Sequence, residues 1–149
     1  MVYAHLRQGR VSLPGQVYFL TTTTYDRRPV FMDFSSARLV INEMRRLHDS
    51  SLVSSLAWVL MPDHLHWLIA LGHSHSLAIV VKLLKGRTAM AVNRGANHHG
   101  PVWQQGYFDH AIREDEDLTG IARYIVANPV RKHIVARVAD FPHWDAAWF

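Results

Sequence analysis

Two strand-forming runs separated by a single Pro-Asp step constrain this chain more than any other feature in it. Residues 52–61 (LVSSLAWVLM) and 65–71 (LHWLIAL) are rich in Val, Leu, Ile and Trp, and Pro62-Asp63 between them is good turn chemistry. The two runs are therefore expected to pair as an antiparallel hairpin. Side chains alternate across a strand, so Leu65, Trp67, Ile69 and Leu71 share the face that meets the core. His64 and His66 then stand together on the other face.

The rest of the chain supplies partners for that hairpin. Residues 17–24 (VYFLTTTT) follow Pro14-Gly15 and read as a strand. Ser35 or Ser36 can cap a helix running to about residue 50, with Ala37, Val40, Ile41, Met44 and Leu47 at helical spacing. Ser76 opens a second helix to about residue 93, burying Val80, Leu83, Leu84 and Ala91. A fourth extended stretch lies within residues 103–112. Residues 115–127 form a third helix with an acidic first turn and a stripe of Leu118, Ile121, Ala122 and Ile125, interrupted by Pro129. The aromatic tail, residues 141–149, is expected to pack back on the body. This order predicts one α+β domain over residues 1–149, a ferredoxin-like antiparallel sheet with helices packed on one face.

Composition narrows the chemistry. The 149 residues include no cysteine, which excludes disulfides, thiol nucleophiles and thiolate-held metals. Hydrophobic residues make up 49%, too many for a disordered chain. The first ten residues lack the apolar stretch of a signal peptide, and the longest apolar run, residues 56–61, is far too short to span a membrane. The expectation is a soluble intracellular domain with no membrane partner. A formal charge of +4 and a pI of about 9.8 are compatible with nucleic acid without requiring it.

Against that background His64-Leu65-His66 is the sharpest chemical feature. Two imidazoles on one strand face can share a metal ion, or can simply be two half-exposed strand histidines; both readings stay open on the motif alone. His73-Ser74-His75 has the same spacing but sits in a Gly/Ser loop with no alternation to fix it. Tyr124 and Asn128 are four apart at the edge of the third helix stripe. Tyr124 also reads as an amphipathic boundary residue, and Asn128 as a cap for the turn opened by Pro129. Lys82 and Lys85 lie near each other on the second helix, with Arg87 on another side. Arg113 follows the fourth extended stretch, and Arg131 follows Pro129 beside Lys132. These cations offer phosphate contacts or a solvated surface.

Three blocks together are more specific than any one of them. MPDHLHWL (61–68), WQQGYFDHAIR (103–113) and ARYIVANPVRKHI (122–134) resemble, in this order, the single-tyrosine HUH transposases, and above all their REP-associated branch. The resemblance spans roughly residues 17–134. It implies a metal held by His64 and His66, a nucleophile at Tyr124, and a third ligand at Asn128, where many insertion-sequence relatives have Gln. It implies Mg²⁺ or Mn²⁺ as cofactor and hairpins of single-stranded DNA, of the repeated extragenic palindrome type, as substrate. It further implies cleavage and strand transfer through a 5′-phosphotyrosine, action as a monomer rather than a dimer, and a bacterial cytoplasmic, nucleoid-associated location. The chemistry is consistent with the residues: a tyrosyl oxygen can hold a cut DNA end covalently, and a divalent ion can offset charge on the phosphate. Two alternatives remain, a non-catalytic single-stranded nucleic-acid binder and a water-using phosphodiesterase with Asp63 as the nearby carboxylate.

Overall fold

The structure, a computed structural model, describes residues 12–149; the signal-peptide reading of residues 1–10 falls outside them. Five strands form a single antiparallel sheet. They are β1 (Val17–Thr23), β2 (Val53–Met61), β3 (His64–Leu71), β4 (Phe108–Ala111) and β5 (Trp144–Ala146), in the spatial order β4-β1-β3-β2-β5. The hairpin forms as the sequence requires, with Met61 opposite His64 across the Pro62-Asp63 turn. The strand that carries the two histidines is therefore the central one, flanked by β1 and β2. β3 ends at Gly72, where a Cβ atom would collide with the Ser51 carbonyl oxygen, so the turn there closes only on glycine.

Two helices, α1 (Phe34–Asp49) and α2 (Leu77–Ala96), cover the sheet face made by Tyr18, Leu20, Leu60, Leu65, Trp67 and Ile69. Their stripe residues Ala37, Val40, Met44, Val80 and Leu84 are fully buried there. The cap of α1 is Asp33, not Ser35 or Ser36. Its carboxylate accepts from the Ser36 backbone N–H at 3.0 Å and from the Ser36 hydroxyl at 2.8 Å. Ser76 caps α2 as expected, accepting from Ile79 N–H, and the helix runs three residues beyond the predicted end to a left-handed Asn97.

The other face of the sheet holds a smaller core of Ala57, Val59, Met61 and Leu68, closed by α3 (Leu118–Val126) through Ala122, Ile125 and Val126. α3 begins later than the acidic run suggested, because Asp117 is the cap that accepts from Gly120 N–H. It stops at Ala127, and a single further turn, α4 (Asn128–Arg131), resumes after the break. Proline at the second position of that turn lacks the N–H that would continue the helix. The tail packs back as expected and adds β5 on the edge of β2, with Phe141 and His143 buried beneath it. Three residues are too few to display strand alternation in a sequence. Among the described residues, no helix is long and apolar enough to cross a membrane.

Candidate active site

The two histidines stand where strand alternation puts them, on the α3 side of β3, with ring centroids 4.6 Å apart. Each is held by its Nδ1 atom. His64 Nδ1 lies 2.7 Å from Asp63 Oδ1, and His66 Nδ1 lies 2.8 Å from the hydroxyl of Thr21, its register partner on β1. A carboxylate can only accept, so Nδ1 of His64 carries the proton and donates it. Its Nε2 then keeps a lone pair that faces the Asn128 amide, and the Thr21 hydroxyl holds the His66 ring at Nδ1. Orientation of this kind is what a metal-binding imidazole needs from its surroundings.

Burial also keeps both rings neutral. It is the largest influence on His64, lowering its pKa against the opposing pull of Asp63. His66 is pushed down to about 3, first by burial and then by the positive potential of His64, Arg131, Lys132 and Arg27. Neutral imidazoles are the metal-competent form.

Asp63 is shared. Its second oxygen pairs with Arg27 Nε at 3.1 Å. Partial burial works against its charge, but the hydrogen bond and charge of His64, together with Arg27, outweigh that and lower its pKa. A carboxylate occupied on both oxygens orients its neighbours. Arg27 itself sits in left-handed backbone (φ 52°), as does Asp26 (φ 56°), an uncommon conformation for two successive non-glycine residues.

Asn128 does not cap the turn before Pro129; α4 has no side-chain cap. The break at Ala127 instead turns the Asn128 side chain inward, where it is 3% exposed with its amide nitrogen 3.2 Å from His64 Nε2. Tyr124, on α3, is 57% exposed. So the two do not share one environment, although they are four residues apart. Arg131 reaches back from α4 to lie over the Tyr124 ring, 3.7 Å from its centroid, while Nη1 donates to the Tyr124 carbonyl at 2.5 Å.

The other cations divide. Lys85 donates to the carbonyls of Gln104 and Gly106 at 2.7 and 2.5 Å, which ties α2 to the segment before β4. Arg87 pairs at 3.1 Å with the buried Glu43 and joins α2 to α1. Both have partners within the fold, although the Arg87 side chain itself stays half exposed. Lys82 is exposed on α2, on the side of the sheet away from the histidines. Arg113 is exposed and pairs with Asp115 and Glu116. Trp103 and Tyr107 are buried, Trp103 donating to Thr88 Oγ1 at 2.9 Å, so packing claims them. Sequence reasoning missed Arg27 and Thr21. The TTTT run gave no sign of which hydroxyl would face a histidine until the β1–β3 register was known.

Among the described residues no group of three or more His, Cys, Asp or Glu side chains is placed to hold a metal. Two neutral imidazoles with an amide at their edge form a mixed nitrogen–oxygen set in which Asn128 is the third member. Such donors could hold a divalent ion once the amide presents its oxygen instead of the nitrogen that faces His64 here.

Comparison with known proteins bears on the family and the fold. A candidate REP-associated tyrosine transposase of Haemophilus influenzae is 28% identical over 144 residues, covering 87% of this chain and 78% of that protein. The REP-associated tyrosine transposase of Escherichia coli K12 is 26% identical over 146 residues, covering 93% of this chain and 83% of its own length. A solved REP-associated tyrosine transposase bound to a REP hairpin shares the fold, with a TM-score of 0.75 at 22% identity over 91% of this chain and 79% of that one. The family model described as transposase, IS200 like, matches residues 14–128. That match takes in the hairpin, the paired histidines, Tyr124 and Asn128, and the chain belongs to the IS200-like transposases, enzymes that cut and transfer DNA strands.

Proposed function

We propose that this protein cuts and rejoins hairpin-forming single-stranded DNA through a covalent link to Tyr124, with a divalent ion held by His64, His66 and Asn128. The observation that carries the reading is the pair of histidines, each tied at Nδ1, with Nε2 of His64 against a buried amide. A merely structural strand pair has no need of one tautomer fixed by Asp63 and a second ring held at Nδ1 by Thr21.

The ion, when bound, polarises the scissile phosphate and offsets the negative charge that grows on it. For Asn128 to serve, its amide turns so that oxygen rather than nitrogen faces the site and the contact to His64 Nε2 is given up. The Tyr124 oxygen attacks phosphorus and gives up its proton. The bond from phosphorus to the 3′ oxygen breaks, and that oxygen leaves as a hydroxyl. The 5′ phosphate stays on Tyr124, so the energy of the broken ester is kept and no ATP is required. Attack by a second 3′ hydroxyl reverses the step and frees Tyr124. Arg131 steadies the ring from one side, and Arg27 and Lys132 supply positive potential around the histidines for the phosphates.

Substrate choice follows the relatives named for REP elements, one of them bound to a REP hairpin. Among the described residues α1, α2 and α3 all pack on this chain's own sheet, which supports action as a monomer.

The test is a denaturing gel of the protein with labelled single-stranded hairpin DNA and Mn²⁺. A covalent species is expected with the parent and none with Tyr124→Phe, while His64→Ala with His66→Ala abolishes cleavage without unfolding the protein. If Tyr124→Phe still cuts and leaves a free 5′ phosphate, water is the nucleophile. If DNA binds but nothing is cut, the chain is a binding module.

A further inference from the structure

A cavity of about 460 Å³ opens beside Tyr124, between β1, β4 and the start of α3. Phe19 and Ile121 give it apolar walls, and Tyr124 is part of its lining. Phe19 also meets the His66 ring edge to face, with centroids 5.4 Å apart. One aromatic ring is thus common to the histidine pair and the cavity.

The remaining wall is acidic. Glu116, His110 and Asp117 line it, and no lysine or arginine does. His110 Nε2 lies 3.0 and 3.1 Å from the two Glu116 oxygens, and the Arg113 backbone N–H donates to one of them at 2.8 Å. That backbone bond, the largest influence, and His110 hold Glu116 below its ordinary pKa, so it is ionised at neutral pH. Oε1 carries the contacts to His110 and the Arg113 N–H and an ion pair with Arg113 Nε at 3.8 Å, whereas Oε2 carries only the contact to His110. A carboxylate has about four lone-pair directions, so the second oxygen retains room for a donor.

A cavity with apolar walls and carboxylates in its lining disfavours phosphate there but accepts a base, while Arg131 over Tyr124 and Arg113 beside Glu116 stand outside the lining. The acidic wall further sorts bases by their edges. Adenine, cytosine and guanine each offer an amino N–H, whereas thymine offers two carbonyls around its single N–H. We propose that this cavity seats the unpaired base next to the scissile phosphate, with Phe19 against its face and Glu116 accepting its amino group, and that it excludes thymine. The inference rests on Tyr124 being the nucleophile, and it makes Glu116 a specificity residue for the strand that Tyr124 cuts.

The experiment uses a pool of single-stranded DNA hairpins with randomised stems and flanks, with two readouts. Strands captured covalently by the parent in Mn²⁺ are sequenced around the cut, and strands retained by Tyr124→Phe are sequenced after simple binding. Thymine should be depleted roughly 5- to 100-fold at one position adjoining the cut. Glu116→Gln presents an amide that both accepts and donates, so thymine should return at that position while the total of captured strands stays within a few-fold. A variant that lost capture of all bases equally, with an unchanged melting temperature, would overturn the proposal. So would a parent pool indifferent to base on both sides of the cut, or a Glu116→Gln pool with the parental preference. If base preference appears in binding but no covalent strand forms, the cavity stands and the nucleophile assignment falls. If covalent strands form without preference, the reverse holds.

Discussion

The guanidinium carbon of Arg131 lies over Tyr124, 3.7 Å from the ring centroid, and Nη1 donates to the backbone carbonyl of the residue it covers. Tyr124 is otherwise the most exposed member of the site. A free tyrosine on a helix surface samples several rotamers; one clamped from above does not. Arg131→Ala should therefore slow covalent capture at saturating DNA by about 3- to 30-fold, the range expected of a cation–π contact. Arg131→Lys keeps the charge but not the planar stack, and should recover affinity more than rate. Single-turnover adduct formation at saturating DNA separates the two effects, and equal losses in both variants would count against clamping.

Asp63 should act on the metal without touching it. In Asp63→Asn the acceptor at His64 Nδ1 is weakened and the ring is no longer held in one tautomer. Mn²⁺ affinity is expected to fall about 10- to 100-fold, the usual effect of losing such a support. Thr21→Val should do the same to His66. Titration followed by the resonance of free Mn²⁺ reads both, and affinity equal to that of the parent would mean that these contacts orient nothing.

The cations can be sorted by salt dependence. Arg27→Ala with Lys132→Ala should reduce the slope of log affinity against log salt by roughly 1 to 2 units. Lys85→Ala should leave the slope unaltered and lower the melting temperature, since its ammonium holds two loop carbonyls. A change of slope in the Lys85 variant would return that residue to the DNA track.

His143 should make the fold acid-sensitive. It is buried beneath β5 with Nδ1 unpartnered, and burial, followed by the charge of Arg38, lowers its pKa from 6.5. The folded state then binds a proton less readily than the unfolded one. Its contribution is complete above pH 6.5 and is lost as pH falls below that value. His64 and His66 act with the same sign. His143→Leu should shrink the drop in melting temperature between about pH 7 and about pH 5, leaving the share of the other two. An unchanged drop would show that His143 finds a partner when protonated.

Much of this arrangement was legible because it rests on short periods. Alternation in residues 65–71 fixed which face His64 and His66 share, and the Pro62-Asp63 step fixed the hairpin. The stripe of α3 was equally plain. What escaped depends on pairing between distant segments. Thr21 is indistinguishable from Thr22 and Thr23 until β1 is registered on β3. Arg27 reaches Asp63 only because two residues take left-handed backbone, which no propensity favours there. Asn128 read as a cap on its residues alone and as a ligand through the resemblance, and the break at Ala127 swings its amide to His64. Lys85 and Arg87 resemble surface cations in sequence, and only tertiary packing gives them internal partners.

The sheet works as a partition wall. The larger hydrophobic cluster, with α1 and α2, lies on one side, and the histidine pair, Tyr124 and the cavity lie with the smaller cluster on the other. Substitutions behind the wall should change yield and heat tolerance while the cutting reaction keeps its character. Substitutions in front of it can silence the reaction in a protein that still folds and still grips DNA. A copy of such an element that has stopped moving would then persist as a shaped, inert DNA binder, distinguishable from an active one by a handful of side chains on a single face.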